Sequence, residues 1–437
     1  MTEPTRRAFL QSSAVAGLTL ASSAAGLYAA NGQPLRVGLI GCGGRGTGAV
    51  RDILEASARL KNNPAVEIVA VADAFQEQTD RILRDFANSK NFAPYRAQIK
   101  VTPETAFHGL DAYQKVLNAG VDIVLLATPP GFRPQHLAAA IEAGKHVFTE
   151  KPVAVDAAGA RLCYALIDKA NAKKLSIVAG TQRRHQKGYI ETIRRIHEGA
   201  IGDIIATRCS WNGTGIWFRN RRPGQPDAAY QIYNWYHFLW LCGDHIVEQH
   251  VHNIDVINWV MNDHPIRAVG MGGRTVRPSG DPKDVGNIWD HFAVEYEYKN
   301  GVRMYSFCRH TPGDSDVSET VFGSKGRCRV DQYQINGKRV ANDDISPYIS
   351  PYVQEHIDLL TSIVSGKPLN ELKAVTDSTF TAILGRNAAY ACRSLRWDEA
   401  LSADEDYFPK NLTMDMSLPV SPAPVPGGWK LPPKARS

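Results

Sequence analysis

The chain has 437 residues, 43% hydrophobic and 22% charged, which is the composition of a soluble globular protein too long for one ordinary domain. The net charge of +6, with no dense Lys/Arg run, argues against a nucleic-acid partner, and after residue 30 no apolar run of ~18 residues argues for a membrane span in the mature chain. Seven cysteines, at 42, 163, 209, 242, 308, 328 and 392, form no C-x-x-C and no metal-type spacing, so they read as mostly reduced, buried thiols.

In chain order, residues 1–30 read as a signal peptide. Arg6-Arg7-Ala8-Phe9-Leu10 precedes an uncharged stretch, Gln11 to Ala30, that ends in small residues before Asn31. The Arg-Arg-x-Phe-Leu form is that of the twin-arginine route, which exports folded proteins. It predicts a periplasmic or extracytoplasmic location, cleavage near Ala29 or Ala30, and cytoplasmic folding that keeps the thiols reduced.

From Leu35 apolar strands alternate with helical stretches: strands at 35–40, 67–72, 122–128, 146–149 and 176–180, helices at 46–58, 133–143 and 155–172. This predicts a doubly wound parallel sheet with helices on both faces, a Rossmann domain over 35–155. After residue 200 longer strands are expected at 204–211, 267–274, 292–299, 302–309 and 326–330, interrupted by one long helix, Gly243 to Met261. Helices at 352–365 and 376–395 complete an α/β domain over 156–400 with a large, open, mainly antiparallel sheet. Residues 401–437 are a C-terminal tail whose Pro/Gly-rich end, 419–433, is not expected to fold alone.

The first strand runs into Gly41-Cys42-Gly43-Gly44-Arg45-Gly46, a G-x-G-x-x-G loop that opens a helix. Its glycines permit a tight turn and close backbone approach, and the helix amides suit a pyrophosphate. Asp73, at the end of the next strand, is placed to accept hydrogen bonds from a ribose diol, which favours NAD, while Arg45 could reach a phosphate and leaves NADP open. Glu150-Lys151-Pro152 ends another parallel strand. The proline keeps Lys151 out of helical geometry and aims its ammonium into the crevice, where it can hydrogen-bond a hydroxyl that becomes a carbonyl.

On an α-helix of 100° per residue, His245, Glu248, His252 and Asp255 fall within an arc of about 80°. No Lys or Arg occurs from Pro223 to Pro265, and five of the thirteen histidines (237, 245, 250, 252 and 264) lie there, which reads as a functional site rather than a solvated stripe. The i, i+3, i+7 spacing also leaves a metal site open, although no distant third ligand is evident and no metal is expected. Aromatics precede this helix: Trp211, Trp217, Phe218, Tyr230, Tyr233, Trp235, Tyr236, Phe238 and Trp240. Some can stack on sugar rings, and Arg219, Arg221 and Arg222 can bond hydroxyls.

Together these motifs resemble the Gfo/Idh/MocA family, which includes glucose-fructose oxidoreductase and inositol dehydrogenase. Its carriers are Gly41-x-Gly43-x-x-Gly46, Ala127-Thr128-Pro129 with His136, Glu150-Lys151-Pro152, Gly202, Phe322-Gly323-Ser324-Lys325-Gly326 and Ile383-Leu384-Gly385-Arg386. The family's G-G-x-x-x-D-x-x-x-H-x-x-D signature aligns on Gly243 to Asp255, with Asp244 in place of the second Gly and Glu248 in place of the Asp. The resemblance implies Lys151 and His252 as the catalytic pair, Glu248 assisting, and His245 on the same face. It further implies a cofactor site from Gly41 through Gly46, Asp73, Thr128, Pro129, His136, Glu150 and Lys151. Arg183, Trp235, Tyr236 and Asp255 are assigned to the substrate. The expected activity is hydride transfer between a tightly bound NAD (NADP possible) and a sugar, glycoside or polyol, in a homo-oligomer such as a dimer or tetramer. An NAD-dependent glycosidase working by transient oxidation, elimination and re-reduction is the alternative, and a non-catalytic sugar or cofactor binder is a remote one.

Overall fold

The computed structural model describes residues 33–60, 65–340 and 347–435; the leader lies outside them. Strand β1 (Leu35–Ile40) leads through the glycine loop into helix α1 (Gly44–Arg59). Then follow β2 (Val66–Asp73), α2 (Gln76–Asn88), β3 (Ala106–His108), α3 (Ala112–Asn118), β4 (Ile123–Leu126), α4 (Arg133–Glu142), β5 (His146–Thr149), α5 (Ala157–Ala172) and β6 (Ile177–Ala179). The six strands are all parallel, in the order β3-β2-β1-β4-β5-β6. The order in which successive strands are added reverses between β1 and β4, so a crevice opens beyond their carboxyl ends. The parallel sheet continues past residue 155 to take its sixth strand.

Strands buried on both faces must be apolar throughout, and Ile123, Val124, Leu125 and Leu126 are all fully buried. Helix α2 carries its apolar residues on one stripe only (Ile82 and Phe86 are buried, Glu77 and Asp80 face outward), so a scan for long apolar runs passes over it.

The second sheet begins after α6 (Lys187–His197) with β7 (Ile204–Gly213). Next in the chain are α7 (Asp227–Tyr233), α8 (Val251–Met261), β8 (Arg267–Gly273), β9 (His291–Glu297), β10 (Arg303–His310), β11 (Asp316–Gly323), β12 (Gly326–Arg329), β13 (Gln334–Ile335), β14 (Lys338–Arg339), α9 (Pro351–Val364), α10 (Leu372–Ala391) and β15 (Leu395–Arg396). The nine strands run β14-β13-β12-β11-β7-β10-β9-β8-β15, antiparallel except for the parallel pair β7 and β10. Strand β11 has little sequence signal because the polar run Ser318, Glu319 and Thr320 interrupts its apolar residues, although all three are buried.

Helix α10 covers the inner face of this sheet. Gly385 is required there, since a Cβ would lie 1.9 Å from the Tyr296 hydroxyl oxygen. Beside it Arg386, with no exposed surface, pairs with Glu405 at 2.8 Å and donates to the carbonyls of Val155 (2.6 Å) and Gly243 (3.0 Å). One buried cation thus ties the tail, the domain linker and the start of the 243–261 segment together. The tail is docked elsewhere too, for Pro424 O accepts from Trp289 Nε1 at 2.7 Å. Helix α9 returns to the first domain, where Val353, Leu359, Leu360 and Ile363 share a core with β1 and α1.

The expected single helix from Gly243 to Met261 is not continuous. Gly243 and Asp244 are both left-handed (φ 77°), Ile246–His250 form a π-turn, and only Val251–Met261 is α-helical. Buried Asp244 holds the reversal, accepting from Tyr390 OH (2.5 Å) and from Trp289 N (2.8 Å). A π-turn advances each residue by a smaller angle than an α-turn, so the shared arc of His245, Glu248, His252 and Asp255 is lost.

Candidate active site

A cavity of about 580 Å³ lies beyond the ends of β1, β2 and β4, within the usual range for a small-molecule site. Its floor is Gly41, Gly43, Gly44 and Arg45, one wall is Ala72 to Phe75, and another is Thr128, Pro129, Phe132 and His136. Trp217, Arg219, Tyr233 and Trp235 close it from the second domain.

The glycine loop is built for close approach. Gly41 sits at φ 103° with its hypothetical Cβ 2.6 Å from the Ala127 carbonyl carbon, and a Cβ on Gly46 would lie 1.8 Å from Gly41 O. Gly43 and Gly44 have nothing within 4 Å of theirs, so that side of the loop is open. Helix α1 has no side-chain cap and no acid in its first turn, leaving its N-terminal amides for an anion. Asp73 accepts from Cys42 N (2.8 Å) and Phe75 N (3.0 Å), which fixes its carboxylate at the cavity edge with lone pairs to spare. Burial, partly offset by those two amides, raises its pKa above the usual carboxylate range. These features fit a dinucleotide: amides for the pyrophosphate and a carboxylate for a ribose diol. Cys42 itself is buried and contributes its N–H to Asp73 rather than a cavity surface.

Arg45 does not extend toward a phosphate. Its guanidinium is bonded to Glu150 and lies 3.4 Å from both Asp52 and Glu355, with the Tyr352 ring beneath it. Glu150 is accordingly a buried partner of Arg45, beside Gly180. Thr128 Oγ1 and His136 Nδ1 are 3.2 Å apart, and His136 packs between Tyr113 and Phe132. Burial, with Arg133 nearby, takes its pKa down to about 3, so the ring is neutral. Arg133 escaped sequence reasoning because nothing marks a buried cation at a helix start. It donates to the carbonyls of Thr128 and Pro152 and so holds the Thr128-Pro129 turn against the Lys151 corner.

Lys151, joined to Pro152 by a cis peptide, sends its ammonium to the Glu248 carbonyl (2.6 Å) and to Glu248 Oε1 (3.0 Å). Both side chains are mostly buried, 10% and 13% exposed. Glu248 therefore assists through Lys151, and no hydrogen bond joins it to His252 among the described residues. His252 lies nearly parallel to Trp211 (ring centroids 5.8 Å apart, 23° between planes). Burial, then the charges of Lys151 and Arg183, push its pKa well below the ordinary histidine value, so it is a neutral acceptor. Arg183 lies 6.0 Å over Trp211 but is paired with Glu319 at 2.6 Å, and Glu319 also accepts from Asn253 and Tyr189.

Two assignments are corrected. His245 has no exposed surface and faces His310 and Phe292 inside the second domain, with no hydrogen bond at either ring nitrogen. Asp255 is 1% exposed and fully engaged, accepting from Arg184 at 2.9–3.0 Å and from Ser378 Oγ at 2.8 Å, so no substrate reaches it. Tyr236 is 2% exposed and lies behind Trp235 and Trp217, of which both line the cavity. Among the described residues no group of three or more His, Cys, Asp or Glu converges as metal ligands.

Comparison with known proteins agrees with this architecture. Residues 35–178 match the Gfo/Idh/MocA oxidoreductase family with its NAD-binding Rossmann fold, and residues 189–329 match the C-terminal domain of the same family. Inositol 2-dehydrogenase of Azotobacter vinelandii is 24% identical over 346 residues, 76% of this chain and 87% of that protein. Inositol 2-dehydrogenase 3 of Saccharopolyspora erythraea is 27% identical over 49% of this chain and 55% of its own length. Among solved structures, a levoglucosan dehydrogenase in complex with NADH and levoglucosan superposes with a TM-score of 0.64 at 16% identity, covering 83% of this chain and 99% of that one; at this identity the likeness is one of fold. With both of its domains matched, the chain belongs to the Gfo/Idh/MocA family of NAD-binding oxidoreductases.

Proposed function

We propose that the protein transfers a hydride between a tightly held NAD and a secondary hydroxyl of a sugar, glycoside or polyol. The observation that carries this is the Lys151 ammonium, pinned by Glu248 at the end of β5 next to neutral His252, beside a crevice shaped for a dinucleotide. Bound NAD supplies an acceptor for hydride at C4 of its nicotinamide. Lys151 hydrogen-bonds the substrate oxygen and stabilises the charge that gathers there as the hydroxyl becomes a carbonyl. His252, held uncharged, is free to take the hydroxyl proton. Glu248 orients Lys151 and compensates its charge. Trp211, stacked on His252, offers an aromatic face to a ring C–H face, as sugar recognition uses.

Tight retention of NAD is favoured by the roof of Trp217, Arg219, Tyr233 and Trp235, and by the bidentate ion pair of Arg222 with Glu77 (2.8 and 2.9 Å) that joins roof to α2. Retention also suits the twin-arginine leader, which would deliver a folded, loaded enzyme to the periplasm, where no cofactor pool exists. The uncovered face of the second sheet exposes Ile205, Val269, Met271, Tyr305, Phe307 and Phe322, an apolar surface that favours a homo-oligomer.

The leader also favours a second reading. Reduced cofactor must be reoxidised in place, and a redox-neutral glycosidase does so within one turnover. Oxidation two carbons away from the glycosidic carbon acidifies the C–H between them, elimination expels the glycosidic oxygen, water adds to the resulting double bond, and the hydride returns to the ketone. Incubation of the purified protein, without added cofactor, with myo-inositol, levoglucosan and an aryl glycoside separates the readings. A rise in near-ultraviolet absorbance of bound nicotinamide supports the dehydrogenase, and released aglycone supports the glycosidase. Neither signal, with NAD present in the protein, would overturn both.

A further inference from the structure

A chain of obligatory hydrogen-bond polarity runs through the buried side of the Lys151–Glu248 corner. Arg277, in the loop after β8, donates from Nη2 to His310 Nδ1 at 2.8 Å and from Nε to Trp289 O at 3.1 Å. A guanidinium can only donate, so His310 Nδ1 is an acceptor. His310, at the end of β10, is 3% exposed, and burial together with Arg277 brings its pKa down to about 3, so its single ring proton is on Nε2. That nitrogen lies 2.6 Å from Gln249 Oε1 and donates to it. The orientation of the Gln249 amide follows from this network and is not a free choice of flip. The other neighbours of His310 do not compete: His245, 4.5 Å away, makes no hydrogen bond, and Tyr236, at 6.0 Å, is unpartnered at its hydroxyl.

The amide of Gln249 is thereby left with its NH2 as a pure donor. Among the described residues nothing accepts from it, and it is not sealed in the interior, because Gln249 is half-buried. Gln249 follows Glu248 directly in the π-turn, and Tyr236, beyond His310, packs against Trp235 and Trp217 of the cavity wall. A donor of fixed polarity is thus carried by the residue that follows Glu248, the partner of Lys151, in the π-turn.

We propose that Gln249 is a specificity-determining residue: its NH2, fixed by the Arg277–His310 pair, donates to a ring or hydroxyl oxygen of the sugar or polyol held at Lys151. This rests on the reading of the site given above. Arg277 and His310 are positioning residues that act through Gln249.

The test is a tryptophan-fluorescence titration of the NAD-loaded protein with myo-inositol, levoglucosan and phenyl glucoside, using the tightest binder as probe. Gln249→Leu, and the isosteric Gln249→Glu, which keeps the acceptor for His310 but removes the donor, should each raise Kd about tenfold. Arg277→Met releases the tautomer of His310 and should weaken binding less, with no further loss when combined with Gln249→Leu. Retained NAD reports that each variant is folded. Changes of Kd under twofold in Gln249→Glu, or losses that simply add in the double variant, would overturn the assignment, as would a wild type that binds none of the three. A wild type that binds but does not oxidise leaves this assignment standing and defeats only the hydride-transfer reading.

Discussion

Replacing Asp255 separates a buried brace from a substrate ligand. Its carboxylate is 1% exposed and holds Arg184, 17% exposed at the side chain, in a doubly bonded pair that Ser378 completes. Asp255→Asn keeps the shape but strands a cation that has little access to water. Removing one partner of a buried pair costs about 3–5 kcal/mol, and the partial exposure of Arg184 places this case at about 3 kcal/mol. For a chain of this size that corresponds to a fall of about 3 °C in the midpoint of thermal unfolding. The double replacement Arg184→Met/Asp255→Leu should recover most of the loss, since it removes both charges together. Midpoints come from circular dichroism and KM for the preferred polyol from bound-cofactor reduction. The expected result is the lower midpoint with KM within about twofold of wild type. A KM raised severalfold at an unchanged midpoint would refute the structural role and return Asp255 to the substrate.

Three further outcomes can be measured, two resting on the structure and one on the leader sequence. In Gly46→Ala the new methyl would meet Gly41 O at 1.8 Å, so the loop must open and co-purified NAD, measured by mass spectrometry, should fall by about tenfold or more. Burial lowers the pKa of His146 to about 4, from an ordinary value near 6.5 in the unfolded chain. The unfolded state therefore binds more protons between these values, and the contribution of His146, at most about 3 kcal/mol, is complete above pH 6.5 and lost as pH falls through 4. Urea midpoints for His146→Gln should show a shallower decline across that window; an unchanged slope would mean that His146 is not the group responsible. Replacing Arg6-Arg7 by Lys-Lys should leave the protein with its leader uncleaved in the cytoplasm, read by cell fractionation, and normal export would remove the twin-arginine route.

How much was legible depended on whether a residue's role was local. Strands β1, β4 and β5 were readable because burial on both faces concentrates apolar residues in them, unbroken in β4, and the glycine loop because steric need restricts positions 41 and 46. The proximity of Lys151 to Glu248 had a motif behind it, though its geometry did not. A π-turn leaves no mark in hydrophobic periodicity, so a uniform 100° step grouped His245 and Asp255 with Glu248 when the fold sends each elsewhere. Buried cations were illegible for a related reason. Arg133 and Arg386 look like surface residues until the carbonyls and carboxylates of distant segments are brought around them. The acids that hold Arg45 likewise come from as far away as Glu355, and no local pattern announces them.

The role proposed for Lys151 is to handle the reacting hydroxyl of a sugar or polyol against NAD that stays in the protein. Its most direct test is the absorbance of bound nicotinamide after a single mixing with excess polyol, for wild type and for Lys151→Met. The wild type should reduce its resident cofactor, and a variant that still holds NAD should do so about 10³-fold more slowly. Equal rates in the two proteins would contradict it.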